Sequence, residues 1–115
     1  YRDSFGDPMT RKEIESLSQK ELREGYRDYL LKQGRYSPST IKVSSYSALF
    51  LLRHSSASVF WDVIYSSDET FRVRAKKELR NALSTSDASW NDEHSVISRL
   101  FHLASFRDYI LAITE

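Results

Sequence analysis

The sequence predicts an all-α domain, a compact orthogonal bundle of about five helices. Three observations support this class. The 115 residues include only 3 Gly and 2 Pro, too few for the tight turns of an all-β domain. Pairs of capping residues stand where helices should begin, and apolar residues recur at steps of three and four. We therefore expect a leader or linker over residues 1–9 and a single helical domain over residues 10–115.

Two helices are predicted in the first third of the chain. Each should begin at a capping box, in which a side chain and the backbone bond one another. The two boxes pair Thr10 with Glu13 and Ser18 with Glu21. They predict a lead-in helix over residues 11–17 and a longer helix over residues 19–33. Gly34 should end the longer helix, because glycine adopts the left-handed conformation at little energetic cost.

The middle of the chain contains two further predicted helices. Ser37 followed by Pro38 is typical of a helix start, and this helix should run to residue 53 or 54. It is apolar on every side from residue 48 to residue 52, so we expect it to be the buried central element. A shorter helix should follow over residues 58–65.

Two longer amphipathic helices complete the prediction. Ser67 or Asp68 should cap the first, and Asn91 or Asp92 the second. The first has a stripe that steps mainly by four residues and comprises Phe71, Ala75, Leu79, Ala82 and Leu83. The second has a wide apolar band, which indicates contacts with several neighbours. This band comprises Val96, Ile97, Leu100, Phe101, Leu103, Ala104, Ile110 and Ile113.

Composition and charge exclude several classes of protein. The chain has no Cys, which excludes a disulfide framework and a thiolate metal site. No apolar run approaches the roughly 20 residues that a membrane helix needs. The net charge of +1 provides no overall attraction to nucleic acid, so local charge has to be considered instead. We expect a cytoplasmic protein that has no membrane partner.

The sequence contains no recognisable catalytic, metal or cofactor motif. His54, His94 and His102 are not at the spacing that places two imidazoles on one metal ion. Serines such as Ser44 are abundant, but serine is a nucleophile only beside a positioned histidine and an orienting group. We therefore expect no catalytic residue, no metal and no small-molecule cofactor, and no enzyme activity of the domain on its own.

Two groups of residues could bind an anion. The first, which we call the helix-start group, comprises Arg35, Ser37, Ser39, Thr40 and Lys42. The second, which we call the basic row, comprises Arg72, Arg74, Lys76, Lys77 and Arg80. Of these, Arg72, Lys76 and Arg80 are spaced by four residues, and Arg74 and Lys77 should lie beside them on a neighbouring row of the helix. A helix N-terminus offers N–H groups to a phosphate, and a cationic helix face suits the DNA backbone. Each group also has a simpler interpretation, a well-capped helix start and a solvated helix surface.

The order of motifs in the middle of the chain resembles that of a known family. Near the end of the second predicted helix, Tyr29 and Leu30 are followed by Gly34. A Ser-Pro-Ser-Thr-Ile run over residues 37–41 comes next, and Tyr46 and Leu49 follow it. This pattern resembles the N-terminal core-binding (SAM-like) domain of tyrosine recombinases and phage integrases. Residues 106–110, with an aromatic residue, a tyrosine and an aliphatic residue, are similar to the end of that domain. The family usually has a tyrosine at the position of Ser44.

The resemblance implies a non-catalytic helical module that clamps duplex DNA. Two helix faces would straddle the duplex and contact mainly phosphates, without the catalytic domain of a recombinase. The helix-start group and the basic row would be the natural contacts. The alternative is a helical protein–protein interaction or oligomerisation domain of a larger protein, which the 7 Tyr, 6 Phe and 2 Trp favour because aromatic residues anchor interfaces.

Overall fold

The computed structural model describes residues 9–85 and 93–114, and these residues form seven helices. In chain order the helices are α1 (Arg11–Glu15), α2 (Gln19–Gln33), α3 (Pro38–Ala48), α4 (Phe50–His54), α5 (Ala57–Ile64), α6 (Asp68–Thr85) and α7 (Glu93–Ile113). The described part of the chain contains no β-strand beyond one isolated bridge. The all-α class is therefore confirmed, and with a radius of gyration of 13.9 Å the bundle is compact.

The predicted starts of the first three helices and the predicted end of α2 are confirmed, whereas α1 ends at Glu15, two residues before the expected residue 17. Both capping boxes form, at Thr10 for α1 and at Ser18 for α2. Gly34 ends α2 in the left-handed conformation, with φ of 67°. Ser37 caps α3 and Pro38 is its first residue. These features depend on neighbours in sequence, which is why local patterns predict them.

The helix predicted from Pro38 to residue 53 or 54 is interrupted at Leu49, which has φ of −97° and ψ of 9°. In a continuous helix the carbonyl of Tyr46 would accept the N–H of Phe50. Here that carbonyl accepts a hydrogen bond from Nη1 of Arg53, at 3.0 Å. The prediction of one helix was therefore wrong, and α3 and α4 are separate elements.

The later helices follow the prediction closely. The short helix α5 begins one residue earlier than expected, with Ser56 as its cap. The carbonyl of Ser67 accepts the N–H of Phe71, so α6 begins directly after Ser67. The predicted α6 stripe is buried at Phe71, Ala75, Leu79 and Ala82. The side chain of Leu83 and the predicted caps Asn91 and Asp92 lie outside the residues whose placement is described.

The long helix α7 organises the core, because it packs against α2, α3 and α6. Its buried residues include Val96, Leu103, Phe106 and Ile110. Two members of its predicted apolar band are not covered: Ile97 is 51% exposed and Phe101 is 63% exposed. The predicted contacts with several neighbours are confirmed, but the band is wider than those neighbouring helices cover, which leaves these two residues exposed.

The contact between α2 and α7 is close and aromatic. The ring of Tyr26 meets that of Phe106 edge-on, with centroids 5.3 Å apart, and Tyr29 lies 5.3 Å from Tyr109. Gly25 lies against the hydroxyl of Tyr109, so closely that a Cβ atom at this position would overlap it. Burial and the charge of Asp28 raise the pKa of Tyr109 to about 12. The phenol therefore stays neutral at any physiological pH.

The described parts of the chain begin and end beside each other. The N–H of Met9 donates to the carbonyl of Ile113 at 2.7 Å, and Met9 forms a parallel bridge with Thr114. Met9 therefore packs with the folded domain, although the sequence placed it in the leader.

Candidate functional site

The helix-start group lies at the exposed N-terminus of α3. The Oγ of Ser37 accepts the N–H of Thr40 at 3.3 Å and donates to Oγ1 of Thr40 at 3.0 Å. It also lies 3.2 Å from Oγ of Ser39. Because Oγ1 of Thr40 is the acceptor in the bond from Ser37, its own hydroxyl hydrogen can donate to another acceptor. The helix start is thus well capped and still offers a donor beside the positive end of the helix dipole.

The cations of the helix-start group are both exposed. Nη2 of Arg35 donates to Oε1 of Gln33 at 3.0 Å, which holds the guanidinium beside the end of α2. Lys42 lies on α3 one helical turn beyond the start of the helix. Both side chains are accessible to an anion that approaches the start of α3.

The basic row does not form a single face. Arg72 lines a groove between α6 and α7, whereas Nη1 of Arg74 points to the carbonyl of Asp62 on α5, at 3.4 Å. Lys77 and Arg80 are exposed and Lys76 is half-buried. The structure therefore separates Arg72, on the side of α7, from Arg74, on the side of α5.

Parts of the two groups line two cavities that share Phe101. A groove of about 380 Å³ is lined by the charged residues Asp68 and Arg72 and by apolar Phe71, Ile97 and Leu100. A smaller pocket of about 40 Å³ is lined by Thr40 and Tyr36, among others. Phe101 lines both. We call Ile97 and Phe101 the α7 ridge.

A chain of hydrogen bonds lies beneath the α7 ridge and joins three helices. The hydroxyl of Tyr26 lies 3.1 Å from Oγ of Ser44, which in turn lies 3.0 Å from Nδ1 of His102. Burial, followed by the charge of Arg99, lowers the pKa of His102. Burial also raises the pKa of Tyr26. Both groups are therefore held neutral, and the chain ties α3 to α2 and α7.

Ser44 and His102 are a serine and a histidine within hydrogen-bonding distance, which sequence reasoning missed. They are 58 positions apart, so no local motif joins them. The side chain of Ser44 is only 6% exposed, and its oxygen has neighbours on both sides. A nucleophile has to reach its substrate. The geometry is better explained as a fixed link between helices.

The α7 ridge is the other feature that the sequence did not predict as a surface. The width of the apolar band could have indicated this surface, because a helix that is apolar on most sides needs neighbours on most sides.

Within residues 9–85 and 93–114, no group of three or more acidic or histidine side chains is placed to hold a metal ion. No helix in the described ranges is long and apolar enough to cross a membrane.

Comparison of the chain with protein-family models, with curated proteins and with solved structures gave no match.

Proposed function

We propose that this domain is a non-catalytic, cytoplasmic DNA-binding module that clamps duplex DNA mainly through phosphate contacts. The observation that carries the proposal is that Thr40 and Arg72 each line a cavity that Phe101 also lines. These residues come from the two groups that the sequence predicted separately. Because the two cavities share Phe101, we infer that Thr40 and Arg72 contribute to one surface.

Each part of this surface has a chemical role in the proposal. The start of α3 offers a hydroxyl donor and the positive end of a helix dipole. Arg72 can bind a phosphate through two parallel N–H bonds. The exposed ring of Phe101 can pack against deoxyribose or a thymine methyl group. Phosphate contacts fix the register of a protein on DNA without reading its sequence, so we expect weak sequence preference.

The resemblance to the core-binding domain of tyrosine recombinases supports the same function. In that family the helical module straddles the duplex and leaves catalysis to a separate domain. The start of α3, which contains the Ser-Pro-Ser-Thr-Ile run, carries most of the resemblance and also borders the proposed surface.

A salt titration of duplex binding tests the proposal. The probe is a fluorescent random-sequence duplex of about 20 base pairs, followed by anisotropy. Each neutralised phosphate contributes about 0.9 to the slope of log K against log salt concentration. We expect the variant R35A/K42A/R72A to reduce that slope by about 2 to 3. R74A, whose guanidinium lies against α5, should change it less.

The matched control removes three charges elsewhere on the surface. K12A/K20A/R27A takes cations from exposed positions on α1 and α2 and causes the same change in net charge. It should leave the salt slope close to that of the wild type. The proposal is overturned if the wild type does not bind at low salt, or if the two triple variants behave alike.

The exposed α7 ridge favours a second candidate function, a helical protein–protein interaction or oligomerisation domain. Exposed Ile97 and Phe101 beside a groove of about 380 Å³ form the type of apolar surface that mediates protein contacts. Sedimentation over a range of concentrations tests it. Association that Phe101→Ser abolishes would support an interaction domain, and a monomer at all concentrations would exclude self-association through the ridge.

A further inference from the structure

The small pocket beside the ring of Phe101 has contributions from α2, from α7 and from the chain around the start of α3. Its volume is about 40 Å³. Thr40 is exposed and Phe101 is 63% exposed, so this side of the pocket reaches solvent. We call it the α3 pocket, and its lining includes Leu30, Tyr36, Thr40, Ser44, Phe101 and His102.

The wall of the α3 pocket is apolar, although several of its residues carry polar groups. The Oγ of Ser44 lies 3.1 Å from the hydroxyl of Tyr26 and 3.0 Å from Nδ1 of His102. These polar atoms thus bond to one another beneath the pocket. Leu30 and the ring of Phe101 provide apolar surface. The helix start, with its hydroxyl groups, therefore lies beside an apolar recess.

The size and chemistry of the α3 pocket suit one small apolar group. A water molecule occupies about 30 Å³ of the liquid, and a methyl group is of similar size. A buried water needs about two to four polar partners, which an apolar wall does not provide. A methyl group needs none, and it gains free energy when it leaves water. A nucleobase is several times too large for this volume.

The position of the pocket relates a methyl group to a phosphate. Thr40 lines the pocket, and its hydroxyl hydrogen can donate to a phosphate at the start of α3. In the major groove of duplex DNA, thymine presents its C5-methyl group on the edge of the base that lies toward its own backbone. A strand whose phosphate binds at the start of α3 therefore brings such a methyl group towards the pocket.

We propose that the α3 pocket binds the C5-methyl group of a pyrimidine in duplex DNA, supplied by thymine or by 5-methylcytosine. The inference rests on the proposed DNA-binding function and adds to it one contact that reads a base. Phosphate contacts position the protein, and this contact favours positions at which a methyl group faces the pocket. Burial of one methyl group changes affinity about fourfold, which agrees with a weak overall sequence preference.

The test compares two duplexes that differ only in the methyl group. One has alternating adenine and thymine, and in the other uracil replaces every thymine. Both have the length used for the salt titration, the same charge and the same base-pairing pattern. We expect the wild type to bind the uracil duplex about fourfold more weakly. The slope of log K against log salt concentration should be the same for both, because the phosphate contacts are unchanged.

Two variants assign this preference to the pocket. Phe101→Ala removes one wall by truncating an exposed side chain, and it should bind the two duplexes alike. The control Leu111→Ala truncates another exposed apolar side chain of α7, about 15 Å further along the helix, and should keep the preference. The readout is the ratio of two affinities, so a general loss of affinity in F101A does not affect it.

The proposal is overturned if the wild type binds the two duplexes equally. It is also overturned if F101A keeps the wild-type preference, since the preference would then come from the duplexes themselves. Failure of the proposed function would look different, because neither duplex would bind at low salt or R35A/K42A/R72A would keep the wild-type salt slope. Failure of the α3 pocket alone would appear as a normal salt slope with equal affinities.

A second pair of duplexes identifies the source of the methyl group. These contain alternating guanine and cytosine, with and without C5-methylation of the cytosines. Tighter binding of the methylated duplex, lost in F101A, would show that the pocket accepts 5-methylcytosine as well as thymine. Equal binding of this pair, together with the preference for thymine over uracil, would restrict the site to thymine.

Discussion

The Oγ of Ser44 lies 3.0 Å from Nδ1 of His102 and links α3 to α7. Burial, and then the charge of Arg99, lower the pKa of this imidazole. In the folded protein His102 is therefore neutral at a pH at which the unfolded chain, with a histidine pKa of about 6.5, begins to bind a proton. Folding is coupled to the protonation of this one side chain.

The first prediction concerns stability in mild acid. Below a pH of about 6.5 the unfolded state binds more protons than the folded state, so the free energy of unfolding should fall as the pH decreases. The contribution of His102 to this fall should stop below the folded-state pKa of its imidazole. Urea unfolding over this range measures it. His102→Asn, whose amide oxygen can accept from Ser44, should reduce the pH dependence, whereas His54→Gln, at an exposed position of α4, should retain it. Equal pH dependence in both variants would contradict the assignment to His102.

The second prediction concerns the close approach of α2 and α7. Alanine usually stabilises a helix interior relative to glycine by about 1 kcal/mol. At Gly25 we expect the opposite, a loss of about 1 to 3 kcal/mol, because the new Cβ would meet the hydroxyl of Tyr109. Denaturant unfolding measures the change. In the background of Tyr109→Phe, which removes that oxygen, Gly25→Ala should cost less. A similar cost in both backgrounds would show that the hydroxyl is not the obstacle.

The third prediction concerns Arg107, whose guanidinium is largely buried between α5, α6 and α7. Its Nε donates to the carbonyl of Ile64 at 3.0 Å and its Nη2 to that of Ser66 at 2.8 Å. Nη2 also lies 2.8 Å from Oδ1 of Asp68, which is 89% exposed. Arg107→Ala should lower the free energy of unfolding by about 2 to 4 kcal/mol, because two carbonyls lose their donor.

The control for Arg107 is its ion-pair partner. Solvent screens this ion pair on the side of Asp68, which is 89% exposed, so Asp68→Ala should cost only about 1 kcal/mol, less than Arg107→Ala. If the two substitutions were equally destabilising, the ion pair and not the carbonyl contacts would hold the α5–α6 connection. Urea midpoints of the two variants at one pH distinguish these outcomes.

Features that depend on neighbouring residues could be predicted from the sequence. Thr10 and Ser18 cap their helices as expected, and Gly34 ends α2, because each of these effects acts within a few residues. The break at Leu49 could not be predicted, since the residues around it favour a helix. A hydrogen bond from Arg53 to the backbone carbonyl of Tyr46 accompanies the break. Helix propensities describe single residues and do not take such a contact into account.

The candidate site was less predictable than the fold because it combines residues from distant parts of the chain. The helix-start group and the basic row could each be found by composition. Their relation through Phe101 depends on how α7 packs, which a wide apolar band does not specify.

The parallel pairing of Met9 with Thr114 has a consequence for any longer polypeptide that contains this domain. The backbone leaves the bundle at the point where it enters and continues in the same direction. The bundle therefore adds little to the distance that the surrounding chain spans and leaves its direction unchanged. Such a unit can be inserted into an extended surface segment of a host protein whose chain runs in the same direction before and after the insertion.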